Sequence, residues 1–110
     1  MDYNECILTK KASGDLEKII DYISIQLHNP MAARNLINKI AKALEMITEY
    51  PNSCPIVNNE FINEPDIRKV LIDRYILYYS YDMDNKIISV LRIIYEKMNL
   101  EDIIFKIERM

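Results

Sequence analysis

The apolar residues of this chain recur with two different periods, and the change of period divides it into a helical half and a strand half. Across residues 12–27, Leu16, Ile19, Ile20, Ile23 and Leu27 fall at i, i+3, i+4, i+7 and i+11, a single stripe along one helix. Thr9 or Ser13 can cap its start by accepting a hydrogen bond from an orphan amide, and Gly14 costs little if it lies in the first turn. The stretch HNP at 28–30 interrupts the pattern. Asn29 suits a cap, and Pro30 suits the first helical position, where no N–H is needed. A second stripe then runs through Ala33, Leu36, Ile37, Ile40, Ala41, Leu44 and Ile47 until Pro51 ends it. Two striped helices joined by so short a turn predict an antiparallel helix hairpin.

YNECIL at 3–8 reads as a first strand ahead of the hairpin. PNSCPIVNNEFINEPD at 51–66, with three prolines and four asparagines, reads as a loop crossing from helices to sheet. Strands are predicted over 67–73, 75–82 and 86–95, with DMDN at 82–85 as the turn between the last two. Strict alternation places Tyr75, Leu77, Tyr79 and Tyr81 on one face and Ile76, Tyr78 and Ser80 on the other. Both faces are largely apolar, so the sheet is expected to be covered on one side and partly on the other. NLEDIIFKI at 99–107 predicts a short last helix capped by Asn99. The expectation is one domain over residues 1–110: α+β, two layers, a helix hairpin packed on an antiparallel sheet in the order β-α-α-β-β-β.

Composition narrows the chemistry. At 110 residues, 50% of them apolar and 28% charged, the chain has enough material for one core. Its single glycine excludes a glycine-rich phosphate loop. The net charge of −3 excludes a domain-wide basic field, so any nucleic-acid contact needs a local patch. Cys6 and Cys54 lack metal-ligand spacing and read as free thiols of a reducing cytoplasm; no metal or other cofactor is expected. No signal-peptide pattern opens the chain, and no apolar run approaches the roughly 18 residues of a membrane span.

Several stretches taken together resemble the RelE/ParE superfamily of bacterial toxins: LTKKASGDLEKIIDYI (8–23), NPMAARNLINKI (29–40), YP (50–51), IRKVLIDRYILYYSYD (67–82) and VLRIIY (90–95). The helix patterns lie closer to the ParE side. The resemblance implies the toxin of a type II toxin–antitoxin system, forming a hetero-oligomer with a cognate antitoxin whose C-terminal segment wraps around it. RelE-like members cut mRNA in the ribosome without a metal, whereas ParE-like members bind DNA gyrase. Fold alone does not choose between these activities.

Metal-free RNA cleavage needs a base or strongly positive setting, a cation for the crowded phosphate, and an acid for the leaving oxygen. In RelE-like members the resemblance assigns these roles to the middle strands and the stretch after the last one. Here the candidates are Arg68, Lys69, Arg74, Arg92, Tyr95 and Lys97. Arg68 and Lys69 are neighbours on a strand and point to opposite faces, so they cannot share one phosphate. Many relatives continue with a basic run where this chain reads EKMN at 96–99, and Glu96 puts a negative charge where a phosphate would approach. His28, at the helix turn, is remote from these residues and reads as solvent-exposed.

Arg92 has two readings. Alternation places it with Ile88, Val90 and Ile94, either as a rim arginine paired with a carboxylate such as Asp73 or Asp82 or as a cation lining a partner groove. Eight tyrosines, four of them within 75–81, suit a core supplemented by an amphipathic interface. The expected partner-binding residues are Arg92, Tyr95, Lys97, Arg74 and Tyr79. The reading is therefore a cytoplasmic ParE-like toxin that inhibits gyrase by protein contact. The alternatives are a ribosome-dependent mRNA endonuclease and a degenerate member that binds antitoxin without harm.

Overall fold

A computed structural model describes residues 3–57 and 67–97. The elements are β1 (Glu5–Leu8), α1 (Lys10–Asp21), a π-helical turn (Tyr22–Gln26), α2 (Pro30–Glu49), β2 (Ile67–Ile72), β3 (Tyr75–Asp82) and β4 (Ile87–Tyr95). The helix expected at 99–107 and part of the long loop lie outside the described residues.

Local chemistry starts the helices where the sequence says it should. Thr9 Oγ1 accepts from the Ala12 amide at 3.2 Å, and Asn29 Oδ1 accepts from the Ala32 amide at 3.1 Å with Pro30 opening α2. Gly14 falls in the second turn of α1 rather than the first, with open space around its Cα.

The first stripe is interrupted. α1 gives way at Tyr22 to a π-helical turn, in which each turn takes one extra residue and the facing positions rotate. Ile23 stays in the core, but Leu27, expected inside at i+11, is 54% exposed. In α2 the core takes Ala33, Leu36, Ile40 and Ile47, while Ile37, 44% exposed, and Ala41 face outward. Ala43 and Met46 pack against the core instead, because the buried row sits slightly round the helix from the predicted one.

The sheet runs β1-β4-β3-β2. β2, β3 and β4 form the expected antiparallel meander, whereas β1 pairs with β4 in parallel, so the sheet is mixed. The direction follows from the hairpin. α2 ends beside the start of β1, where Asn4 Nδ2 donates to the Thr48 carbonyl at 2.8 Å. β2 therefore sets out the same way as β1, and two further reversals leave β4 parallel to it.

Each face of the sheet has its own apolar cluster. Ile72, Leu77, Tyr79, Ile88, Val90 and Ile93 pack under the helices. Ile67, Ile76, Tyr78 and Ile94 pack on the outer face, with Val57 and Leu91 against them. The Tyr78/Tyr79 step carries a register shift: Tyr78 pairs with Arg92 and Tyr79 with Val90, which leaves Leu91 as the extra residue of a β-bulge. The bulge breaks the alternation. Ile93 joins the inner face and Ile94 the outer, so the grouping of Ile94 with Ile88 and Val90 does not hold.

Candidate functional site

The bulge in β4 decides what Arg92 does. An extra residue leaves backbone groups without ladder partners, and the start of α1 supplies them. The Thr9 amide donates to the Val90 carbonyl at 3.0 Å, and Thr9 Oγ1 donates to the Leu91 carbonyl at 3.2 Å. Asp15 Oδ2 accepts from the Ile93 amide at 3.1 Å. The same carboxylate meets Arg92 fork to fork, Nε to Oδ2 at 2.7 Å and Nη2 to Oδ1 at 3.0 Å. Both side chains are only 16% exposed. Arg92 thus clamps α1 to the bulge through Asp15, seventy-seven positions away in sequence.

The expected carboxylate partner of Arg92 is present, but it is Asp15 rather than Asp73 or Asp82. Asp73 accepts both bonds of Lys39 Nζ at 2.9 and 3.0 Å, tying the β2–β3 turn to α2. Asp82 Oδ1 accepts the amides of Asp84 and Asn85, and these bonds, with that of the Asn85 side chain first among them, hold its carboxyl below the usual carboxylate range. Each lies at a hairpin turn, whereas the bulge lies mid-strand under α1.

The other candidates scatter. Arg68 pairs with Tyr79 across the strands and turns its guanidinium onto the edge loop, Nη1 to the carbonyls of Cys54 at 2.6 Å and Asn52 at 3.2 Å. Lys69, on the opposite face, borders an outer-face cavity of about 530 Å³ with Leu71, Ile76 and Glu96. Tyr79, expected at a partner surface, is wholly buried. Its hydroxyl donates to the Pro51 carbonyl at 2.8 Å, and burial pushes its phenol far above the ordinary range. It is a core tyrosine because its inward position meets the end of α2. Lys97 is exposed just past the end of β4.

Only Arg74 and Tyr95 come together. Arg74 occupies the tight β2–β3 turn beside Asp73, which holds a φ of 54°. Tyr75 and Tyr95 pair across β3 and β4, their rings 5.8 Å apart and tilted by 56°. With Lys18, Ile19, Tyr22 and Leu27 they line a groove of about 560 Å³ between the end of α1 and the rim of the sheet. Burial, with the phenols of Tyr95 and Tyr22 nearby, raises the Tyr75 pKa. Lys18, Tyr22 and Leu27 were not on the predicted list. Tyr22 and Leu27 reach the groove through the π-helical turn, which leaves no mark in the hydrophobic pattern.

Both cysteines are free, and among the described residues no group of three His, Cys, Asp or Glu side chains could hold a metal ion. No helix among them is long and apolar enough to cross a membrane.

The sequence profile of the ParE toxin of type II toxin–antitoxin systems, parDE, matches residues 6–100. No curated protein matches the chain. Among solved structures, a chain from the chromosomal ParDE toxin–antitoxin system of P. aeruginosa is similar with a TM-score of 0.64 at 20% identity, covering 84% of this chain and 96% of its own. A chain of the RelBE2 toxin–antitoxin complex from Mycobacterium tuberculosis reaches 0.59 at 16% identity, covering 86% of this chain and 99% of its own.

Proposed function

This chain belongs to the ParE toxin family of type II toxin–antitoxin systems, and from that premise we propose that it is a cytoplasmic bacterial toxin acting by protein–protein contact, with DNA gyrase as target. A cognate antitoxin neutralises it by forming a hetero-oligomer. Support for an antitoxin partner comes from the similar structures, which are toxin–antitoxin systems.

The observation that carries the contact mechanism is the dispersal of positive charge. Phosphodiester cleavage without a metal needs two or three cationic or acidic groups aimed at one phosphate. Arg92 is occupied by Asp15, and Arg68 is bonded to loop carbonyls. The outer side of the sheet is a second buried apolar cluster of Ile67, Ile76, Tyr78 and Ile94, and Lys69 shares the cavity beside it with the carboxylate of Glu96. Cations so dispersed, one of them beside a carboxylate, do not converge on a phosphate, which favours action by protein contact.

The rival reading, a ribosome-dependent mRNA endonuclease, draws on Arg74 and Tyr95 sharing one groove. A cation and a phenol could stabilise a phosphate and protonate a leaving group, but among the described residues no carboxylate or histidine lines the groove beside them. Purified protein in a plasmid-supercoiling assay with gyrase, run beside translation-coupled mRNA cleavage, separates the two. Inhibited supercoiling with intact mRNA is expected. Codon-position cleavage with unaffected gyrase would overturn the contact mechanism.

A further inference from the structure

We propose that the groove lined by Lys18, Tyr22, Leu27, Arg74, Tyr75 and Tyr95 is the docking site for an acidic segment of a partner protein that also carries apolar side chains. The inference concerns the chemistry of the bound segment and does not rest on the gyrase reading.

Charge is the first argument. The chain as a whole has 17 acidic residues against 14 basic ones, yet among the described residues no carboxylate lines this groove, while an arginine and a lysine do. Neither the Lys18 ammonium nor the Arg74 guanidinium has an ion pair or hydrogen bond among the described residues. This separates them from Arg92, Arg68 and Lys39, whose charged heads are all bonded. Two cations without a described ion pair face the same hollow, and Asp73, which lines the adjoining one, is already bonded to Lys39, so the lining favours an anionic guest.

The lining supplies the second argument. Tyr22, Tyr75 and Tyr95 bring three phenols around the opening, and none of their hydroxyls bonds to another described group. Tyrosine offers a broad apolar ring, few torsions to freeze and a hydroxyl that can donate to a carboxylate, a combination enriched in recognition surfaces. Ile19 and Leu27 complete an apolar wall, and the exposed Ile25 and Met31 continue the apolar surface nearby along the helix hairpin. The π-helical turn is what turns Leu27 outward. A regular helix would have carried the stripe on into the core, so a departure from ideal geometry presents an apolar side chain here.

The guest is a polypeptide rather than RNA. Two cations neutralise few phosphates, and the rest of the molecule is net negative, so a polyanion would meet repulsion beyond the groove. A segment with one or two carboxylates and a leucine or phenylalanine satisfies the whole lining.

The test uses the full chain labelled with ¹⁵N and three fluorescent probes: a short peptide alternating glutamate and leucine, its counterpart with lysine for glutamate, and an oligouridylate. Selective binding of the acidic peptide is expected, with shifts centred on Lys18, Tyr22, Arg74, Tyr75 and Tyr95. Arg74→Glu and Lys18→Glu should each weaken it by about tenfold, and the double variant should prefer the basic peptide. Leu27→Ser should weaken the acidic peptide without changing that preference. These side chains are exposed, so melting curves should match wild type. Equal affinity for both peptides, tighter binding of the oligouridylate, or shifts confined to another face would each overturn the proposal.

Discussion

Arg92, within β4, and Arg74, in the β2–β3 turn, both lie beside residues of α1, yet their surroundings differ in kind. Around Arg92, groups beside the bulge are bonded to the start of α1: Thr9 donates to two carbonyls, and Asp15 accepts from an amide and the guanidinium fork. Around Arg74, the guanidinium and three phenol hydroxyls face an open hollow without hydrogen-bond partners among the described residues. The first region holds the fold together, and the second is left available. A charge already bonded inside a fold lends little to recognition, because a partner would first have to compensate the carboxylate it abandons.

The sharpest way to break this contrast is Arg92→Ala. It leaves the Asp15 carboxylate poorly solvated and unpaired, which should cost about 3 kcal/mol and lower the melting temperature by roughly 10 °C. Thermal denaturation followed by circular dichroism measures it, and a double-mutant cycle with Asp15→Ala should show the two losses to be non-additive. If Arg92→Ala melts like wild type, the clamp is not structural and Arg92 returns to the list of binding residues.

Alkaline titration should produce the next largest effect. Burial raises the phenols of Tyr79, Tyr78 and Tyr75 above their ordinary value of 10.0. A raised pKa means that the fold holds the proton more tightly than the unfolded chain does. Stability should therefore be constant below about pH 10 and fall as pH rises beyond it. Denaturant unfolding at increasing pH, with tyrosinate absorbance as a second signal, reads this directly.

Tyr79→Phe removes the bond to the Pro51 carbonyl and should cost about 1 kcal/mol, whereas Tyr22→Phe in the groove should leave stability unchanged. Gly14→Ala should stabilise by about 0.5–1 kcal/mol, since the position is helical and the space around it open. Arg74→Ala should produce the smallest stability change, within about 0.5 kcal/mol, while weakening partner binding. A large destabilisation there would show that the groove, too, is structural.

Much of the architecture was legible because its causes are short-range. HNP stops one helix and starts the next through a cap and a proline three residues long, and DMDN closes its turn through Asp82 alone. The candidate site was legible only in part. Arg74 and Tyr95, both candidates from the sequence, line one groove, whereas Tyr79, another candidate, is buried, because a strand's two faces look alike when both are apolar. Lys18 and Tyr22 went unnamed, since on a helix read as regular nothing distinguishes them from ordinary solvent-facing residues.

By itself the sequence determined the two periodicities, the caps, the turns and the order of elements, all of which act within one helical turn or one strand. Tertiary structure alone decided the direction of β1, the bulge at Leu91 and the π-helical turn before Leu27. It also decided that Asp15 would be the carboxylate to meet Arg92. These depend on how strands slide into register and how a helix lies across them. Packing energy between residues far apart in the chain sets both, and that energy has no local signature.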